Sequence, residues 1–511
     1  MIRVFLALIL ACFGLSADAQ MVPFPPLFRV FTPLHLYYIA ASGCNDANAG
    51  TSPGSPWCTP NHSVVCGDVI IAAAGDYSTT INSAFPFGTV SSCPSVSGGI
   101  DGTGGIYFAT VLCGGTDVTA CHATFTSTGY AIDVAASNWA VEGFQLTGNS
   151  GKGAFHVNGV STRYHHIAFI NDVAFNVGIG FVAEDDGVNH SVPGTIAYDY
   201  VAYIGNIAQN AEQNTVCTAA MVMVAPSFID TNPGTHFLMY GNFSYNHPSN
   251  GCSSDEEAFM FDTFDAHGVT NQAVMLNNIG WSAYRFGMHN FVQSNNSVAG
   301  LHVYIENNTL VHNNVLNGGA FGDLNIQVNS NTGIAPTFLG IKNIGQTTVS
   351  TGCGWNVGGT DSTTIANITV GQTGSENILF ASGGGTAECP NQGFVFGPNF
   401  QTDPLFANLT DLITNRSGAP SCGGFVTTTA CMGWNTQTRA LTTLSPIGDL
   451  QASCGNCAGK GYQKPSTTCV TSGPYNDLYP TWLKGIVYLH WNSAQSQVQQ
   501  RFDLVTLPCG L

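Results

Sequence analysis

Six short apolar segments carry the residues that could perform chemistry. They align as AFHVN (154–158), GIGFV (178–182), AMVMV (220–224), AFMFD (258–262), RFGMH (285–289) and DLNIQ (323–327). The fifth position is uncharged in the first three segments and then becomes Asp262, His289 and Gln327. An acid beside an imidazole is a pairing that serves proton transfer. If the segments stack as strands about 4.8 Å apart, Asp262 and His289 are predicted to form a hydrogen bond.

The first position of the same alignment adds a base and a further acid. It becomes Arg285 and Asp323 in the last two segments, so we expect these two side chains to be neighbours as well. Residues 255–257 are all acidic, and clustered carboxylate oxygens are the ligands that Ca²⁺ prefers. The predicted roles are catalysis by Arg285, His289 and Asp262, substrate binding by Asp323, Gln327 and Glu257, and calcium binding by Asp255, Glu257, Asp262 and Asp265.

A second repeat, between these segments, shows what kind of element positions them. Phrases such as IND, YGN, LNN, ENN and IKN recur, and they define a row at Gly143, Asp172, Tyr200, Asn242, Asn278, Asn308, Asn343 and Asn367. The residue after each row member is apolar in seven cases of eight. The spacings of 24 to 42 residues are too irregular for a helical solenoid, and they are natural for coils that carry loop insertions.

The row predicts a parallel β-helix. Apolar residues one and three positions after a row member have the period of a strand. Asn side chains at one place in successive coils can hydrogen bond to each other, as in stacked in-register sheets. Chance in an Asn-rich chain is the alternative, but chance does not supply the paired apolar columns. We expect an N-terminal cap and first coils over residues 20–103, further coils over 104–397, and a cysteine-rich C-terminal cap over 398–511.

The composition fits such a fold. Of the 511 residues, 44% are hydrophobic and only 8% are charged, whereas globular domains average about 25% charged residues. The surface must therefore consist of Ser, Thr, Asn and Gly, which is typical of secreted β-rich solenoids. The 31 Phe and 17 Tyr supply a large core and exclude a disordered chain. A net charge of -18 argues against nucleic acid as a partner.

The N-terminus predicts export. Residues 1–19 have the basic start, apolar stretch and small-x-small cleavage site of a signal peptide, with lipoprotein acylation at Cys12 as the alternative. No other stretch approaches the ~18 apolar residues of a membrane helix, so no membrane span is expected.

The cysteines predict disulfides, because exported chains meet an oxidising compartment. Pairing of nearest neighbours gives Cys44–Cys58, Cys66–Cys93, Cys113–Cys121, Cys217–Cys252, Cys353–Cys389, Cys422–Cys431 and Cys469–Cys509. Cys454 and Cys457 are expected to form a structural disulfide, because no second pair of suitable spacing supports a zinc site.

The N-terminal region also resembles a known family. Residues 37–77 contain YYIAASGCNDANAGTSPGSPW and then GDVIIAAAGDYS, which look like the opening of secreted right-handed β-helix proteins of the pectate-lyase-like superfamily. The nearest similarity is to polysaccharide lyases with a G-x-D-x-N-x-G-T phrase, matched here by Gly43, Asn45, Asp46, Asn48, Gly50 and Thr51. Enzymes and uncharacterised relatives share this phrase. The resemblance therefore implies a right-handed β-helix more strongly than it implies a reaction.

The resemblance also suggests roles for particular residues. In such lyases Ca²⁺ or basic residues neutralise a uronate carboxylate, and a Lys or Arg removes the C5 proton. By position, Arg285 would be the base or carboxylate clamp, and Asp262 with Asp255 or Glu257 would bind calcium. The chain departs from the pattern because no lysine lies on this ladder between Lys152 and Lys342.

These observations lead to one main functional expectation. We expect a secreted protein, extracellular or periplasmic and monomeric, that cleaves an acidic extracellular polysaccharide by β-elimination. A non-catalytic polysaccharide-binding or adhesin-like surface protein is one alternative. A glycoside hydrolase on the same fold is the other.

Overall fold

The structure is a computed structural model of the chain. It describes residues 33–94, 106–114, 120–126, 129–148, 153–159, 164–184, 198–211, 218–224, 233–245, 247, 256–262, 271–292, 301–314, 322–328, 337–359, 366–390, 394–406, 434–435, 440–441, 452–463, 470–483, 489–491 and 498–500. The predicted signal peptide, Asp255, Asp265 and three predicted disulfides (Cys217–Cys252, Cys422–Cys431 and Cys469–Cys509) lie outside these residues.

Three long parallel sheets form the body of the protein. Sheet 1 has 11 strands: β1 (Leu36–Ile39), β3 (Val69–Ala72), β6 (Ala109–Cys113), β9 (Trp139–Glu142), β12 (Tyr164–Ile170), β15 (Tyr198–Ile204), β18 (Gly234–Tyr240), β21 (Asn271–Leu276), β24 (His302–Glu306), β27 (Thr337–Ile341) and β30 (Ile368–Val370). Sheet 2 has 10: β4 (Gly75–Asp76), β7 (Cys121–Thr124), β10 (Phe144–Thr147), β13 (Val173–Phe175), β16 (Ile207–Gln209), β19 (Phe243–Tyr245), β22 (Ile279–Trp281), β25 (Thr309–Val311), β28 (Ile344–Thr347) and β31 (Ile378–Ala381).

Sheet 3 completes each coil. Its nine strands are β8 (Ile132–Val134), β11 (Gly153–Asn158), β14 (Ile179–Glu184), β17 (Met221–Val224), β20 (Phe259–Asp262), β23 (Met288–Val292), β26 (Gly322–Val328), β29 (Cys353–Gly359) and β32 (Thr386–Pro390). The chain passes through sheets 1, 2 and 3 in turn, and each strand pairs in parallel with its equivalent in the next coil. The fold is therefore the right-handed parallel β-helix that the sequence predicted.

The remaining elements are short. Two-stranded pairs are formed by β2 (Val64–Val65) with β5 (Val90–Ser91), β33 (Trp434–Asn435) with β34 (Ala440–Leu441), and β35 (Leu489–Trp491) with β36 (Val498–Gln500). The helices are α1 (Ser78–Ser83), α2 (Pro474–Asp477) and a 3-10 turn at Thr481–Leu483. None of the helices within the described ranges is long and apolar enough to cross a membrane.

The row of Asn residues lies at the turn between sheets 1 and 2. The Asn242 backbone N–H donates to Asn278 Oδ1 at 3.0 Å, and the Asn278 N–H donates to Asn308 Oδ1 at 2.9 Å. The same bond joins Asn308 to Asn343. Most residues just before the row have positive φ, for example Asn277 at 57°, a conformation that Asn and Gly tolerate best.

Three members of the predicted row were wrong. Tyr200 lies within β15, and the row position of that coil is held by Asn206, whose Oδ1 accepts from the Asp172 N–H at 2.9 Å. Asn367 is exposed, and Asn377 takes its place. Gly143 lies one residue before the position that is level with Asp172. Similar short sequences occur at more than one turn of a coil. Sequence similarity alone therefore did not identify the residues at the turn between sheets 1 and 2.

The predicted alignment of the sheet 3 segments was wrong in register for two of the six, residues 178–182 and 285–289, whereas Asn158, Val224, Asp262 and Gln327 lie in one column as predicted. His289 pairs with Met260 and Asn325, and Asp262 pairs with Val224. Asp262 is therefore two residues away from the position beside His289. A slip of one residue would turn every side chain to the other face, but a slip of two preserves the alternation of inward and outward residues. The sequence pattern thus identified the faces and could not fix the pairing.

Disulfides and short segments close the structure. The predicted bonds Cys44–Cys58, Cys66–Cys93, Cys113–Cys121, Cys353–Cys389 and Cys454–Cys457 are confirmed. Residues 394–406 lie against the last coil, where the Phe400 N–H donates to the Asn377 carbonyl at 2.9 Å. Residues 452–463 and 470–483 lie along the side of the β-helix, and Trp482 Nε1 donates to the Thr235 carbonyl at 2.7 Å.

A ladder of stacked rings beneath Trp482 makes stability depend on pH. His166 is stacked between Tyr107 and Tyr200 at ring distances of 4.7 and 4.4 Å. Burial lowers the pKa of His166 well below its usual value, and nearby His165 and His236 lower it further. Since its folded pKa lies below the unfolded one, stability is held above the unfolded value of 6.5 and is lost as pH falls towards the folded value.

We therefore expect the free energy of unfolding to fall less at acidic pH in His166→Phe than in the parent protein. Phenylalanine keeps a ring in the stack. It removes the imidazole, which takes up a proton more readily in the unfolded chain than in the folded protein. Urea unfolding midpoints at pH about 7.5 and about 5 should differ less for His166→Phe than for the parent protein. His302→Phe, at a half-buried site elsewhere on sheet 1, is the matched control. Equal acid loss in His166→Phe and the parent would contradict the expectation.

Candidate functional site

The structure pairs His289 with Glu257 instead of Asp262. His289 lies on β23, and Glu257 lies just before β20 in the preceding coil. His289 Nδ1 is 3.3 Å from Glu257 Oε1, and their side chains are 4% and 0% exposed. Taking two charged groups out of water is unfavourable unless they are paired closely. The acid–imidazole pair that the sequence predicted therefore exists with a different acid.

Arg285 enters the same region from the turn before β23. Its backbone N–H donates to the Glu256 carbonyl at 3.0 Å, which holds the turn against the preceding coil. Its guanidinium lies 5.0 Å from the centre of the Phe286 ring, and that ring lies 4.6 Å from the ring of His289. Arg285 is half-buried, so it is the member of this group with the most access to solvent. We call Glu257, Arg285 and His289 the histidine cluster.

Asp323 is level with Gly287, two residues after Arg285, and its carboxylate bonds to Asn313. Asp323 is 1% exposed, and its Oδ1 accepts from the Asn313 backbone N–H at 2.8 Å and from Asn313 Nδ2 at 2.7 Å. Burial raises the pKa of Asp323 well above its usual value, although the bonds from Asn313 lower it. These contacts join the end of sheet 2 to the start of sheet 3. Asp323 therefore stabilises the turn between these two sheets.

Asp262 and Gln327 lie at the far ends of their strands. Asp262 is the last residue of β20, and Gln327 pairs with Phe291 and Gly358 on the neighbouring strands. Both are half-buried. A strand rises about 3.3 Å per residue, so Asp262 and Glu257 are separated by most of the length of a strand.

This separation bears on the predicted calcium site. Ca²⁺ takes oxygens at about 2.3–2.6 Å, so Glu257 and Asp262 do not fit as ligands of one ion. Within the described ranges, no three His, Cys, Asp or Glu side chains are grouped in a way that would hold a metal ion. Of the predicted calcium ligands within the described residues, Glu257 is buried and Asp262 is half-buried.

A second titratable group on sheet 3 was missed from the sequence. His156 on β11 is fully buried, and its Nδ1 lies 2.8 Å from Asp133 Oδ1 on β8. On the other side, His156 Nε2 lies 3.7 Å from Glu184 Oε1 on β14. The ring of Tyr130 stacks on His156 at 3.7 Å, and its hydroxyl donates to Glu184. We call Tyr130, Asp133, His156 and Glu184 the carboxylate cluster.

The predicted alignment concealed the carboxylate cluster. It placed His156 in the third position of its segment, and the segment 178–182 ended before Glu184. In the structure His156 pairs directly with Asp133, and Glu184 is level with Asn158. His156 and His289 occupy the same outward column of sheet 3, and the residues between them are Val182, Val222 and Met260. Two histidines in an otherwise apolar column are the sequence feature that could have indicated this cluster.

Comparisons with known proteins give only distant similarities. No protein-family model matches the sequence, and no curated protein matches it. Among solved structures, the chain is similar to a crystal structure of pectate lyase Pel9A, with 14% identity, a TM-score of 0.33, and coverage of 88% of this chain and 96% of that one. It is also similar to a rhamnogalacturonan lyase, with 13% identity, a TM-score of 0.33, and coverage of 73% and 90%. The assignment of the fold rests on the three parallel sheets themselves.

Proposed function

We propose that this protein is a secreted carbohydrate-active enzyme that cleaves an acidic polysaccharide by β-elimination. The observation that carries the proposal is the contact of 3.3 Å between His289 and Glu257, with Arg285 beside it, on the outer column of a long parallel sheet. A base held by an acid, next to a cation, is the set of groups that removal of a proton beside a carboxylate requires.

Each member of the histidine cluster then has one role. Arg285 binds the uronate carboxylate, because guanidinium matches a carboxylate in both charge and geometry. His289 takes the C5 proton while Glu257 orients the imidazole and stabilises its protonated form. The C4–O bond breaks as the C4–C5 double bond forms, the leaving oxygen takes a proton from water, and His289 later releases its proton to solvent. The products are a new chain end and an unsaturated uronate.

We place calcium at Asp262, where it would assist substrate binding. Glu257 contacts His289, and its distance along the strand separates it from Asp262, so we remove it from the proposed ligand set. Asp262, Asp255 and Asp265 remain the proposed ligands, with a carboxylate of the substrate as a further oxygen donor. The elimination chemistry itself is assigned to the histidine cluster and needs no metal.

The test is a direct assay of the secreted protein on a panel of polyuronates. We expect ultraviolet absorbance of the unsaturated product with at least one substrate, and a lower rate in EDTA if Asp262 takes part in calcium binding. New reducing ends without unsaturated product would instead indicate hydrolysis. Binding without any cleavage would support the alternative of a polysaccharide-binding surface protein. Either of these results would overturn the lyase proposal.

A further inference from the structure

We propose that the carboxylate cluster, together with the cleft in front of it, binds an amino sugar through its ammonium group. The cleft lies between the segment that follows α1 and the start of β8, and it has a volume of about 410 Å³. Its walls include Phe85, Phe87, Tyr130 and Asp133. Binding sites for small organic ligands range from about 300 to 1,000 Å³, so the cleft has room for a sugar unit. The proposal goes beyond the lyase function and does not depend on it.

The charge of the cluster determines what it can bind. Asp133 and Glu184 are two carboxylates, and their side chains are 40% and 23% exposed. One imidazole lies between them, so the cluster is negative even when His156 carries a proton. A uronate would be repelled here, whereas a cation would be attracted. Asp133 is the carboxylate that lines the cleft, and it favours a cationic ligand, in contrast to the anionic substrate proposed for the histidine cluster.

The cluster is also held in place before any ligand arrives. His156 is fully buried and fixes Asp133 from behind with a contact of 2.8 Å, while Asn158 Nδ2 donates to the other Asp133 oxygen at 3.3 Å. His156 Nε2 is buried and makes no hydrogen bond, and it points towards Glu184 at 3.7 Å. An oriented carboxylate loses little freedom on binding, which favours affinity.

The aromatic walls explain why the cation should belong to a sugar. Tyr130 and Phe87 are half-buried, so each shows part of its ring to the cleft. Rings bind the apolar C–H face of a pyranose, and the face of a tyrosine ring also attracts an ammonium group. An inorganic cation would use the carboxylates and leave the rings without a role. An amino sugar uses both kinds of wall.

The carboxylate cluster and the histidine cluster belong to the same sheet. His156 on β11 and His289 on β23 lie in the same column of sheet 3, four strands apart. Strands are spaced by about 4.8 Å, so the two clusters are separated by about 20 Å along the axis of the β-helix. The residues between them in this column, Val182, Val222 and Met260, are buried, so each cluster is treated as a separate site.

The experiment measures binding by calorimetry with the whole secreted protein. The probes are the tetramer of β-1,4-linked glucosamine, its fully N-acetylated form and a galacturonate tetramer. We expect the glucosamine tetramer to bind at least about tenfold more tightly than the N-acetylated one, because acetylation removes the charge. Asp133→Asn should weaken its binding about 10- to 100-fold, and Tyr130→Leu about tenfold.

The control is Asp403→Asn, which removes the same charge from an exposed residue at the other end of the β-helix. It should bind the glucosamine tetramer like the parent protein, and thermal unfolding should show that all three variants are folded. Equal binding of the two glucosamine forms would overturn the proposal, as would unchanged binding by Asp133→Asn or displacement of the tetramer by calcium. Because calorimetry does not require cleavage, failure of the lyase assay leaves this result unaffected.

Discussion

Replacement of His289 by Gln is expected to lower the rate of unsaturated-product formation by about 10²- to 10⁴-fold, the usual contribution of a general base. Glutamine keeps a polar side chain of similar reach but cannot take a proton. Glu257→Gln should lower the rate less, by about 10- to 10³-fold, because the imidazole remains but loses the group that orients it and stabilises its charge. Rates on the best polyuronate from the panel provide the measurement.

Stability must be separated from catalysis in these variants. Both side chains are buried and in contact, so removing one leaves the other poorly paired and costs stability. The rates should therefore be compared at a temperature where far-ultraviolet circular dichroism shows each variant to be folded. His302→Gln, on sheet 1 and away from the site, should stay within about twofold of the parent rate. A His289→Gln rate within about threefold of the parent would remove His289 from the mechanism.

Replacement of Asn278 by Ala is expected to destabilise the protein by about 3–5 kcal/mol. Asn278 Oδ1 accepts from both the backbone N–H and Nδ2 of Asn242, each at 3.0 Å. Its own Nδ2 donates to the Met239 carbonyl and to Asn308 Oδ1, each at 2.9 Å. Alanine removes the bonds of the Asn242 backbone N–H and the Met239 carbonyl to this side chain, while Asn242 Nδ2 keeps the Tyr203 carbonyl and Asn308 Oδ1 keeps the Asn278 backbone N–H. Each unsatisfied group costs about 1–3 kcal/mol, partly reduced when neighbours adjust.

The matched control is another Asn from the sequence row. Asn367 is exposed and lies just before β30, so Asn367→Ala should change the free energy of unfolding by less than about 0.5 kcal/mol. Urea unfolding followed by circular dichroism compares the two variants. Because coils interact chiefly with their neighbours, loss at Asn278 can also unfold part of the β-helix first. Equal midpoints for the two variants would show that the buried row does not stabilise the coils.

The sequence was informative about periodic features. Strand alternation and the recurring Asn phrases indicated a parallel β-helix, and they placed Asn242, Asn278, Asn308 and Asn343 in one row. Nearest-neighbour pairing of cysteines gave five disulfides that the structure contains. These features depend on local spacing, which one chain repeats many times. A single sequence therefore contains several samples of the same pattern.

The sequence by itself thus determined the fold and the face on which polar residues collect. Only the tertiary structure decided which of those residues meet, because strands can slip by two residues without changing which side chains point outward. That slip replaced Asp262 with Glu257 as the partner of His289. It also joined Asp133, His156 and Glu184 from three coils. Pairing is set by the packing of whole coils, including turns and interior side chains, and no single segment carries that information.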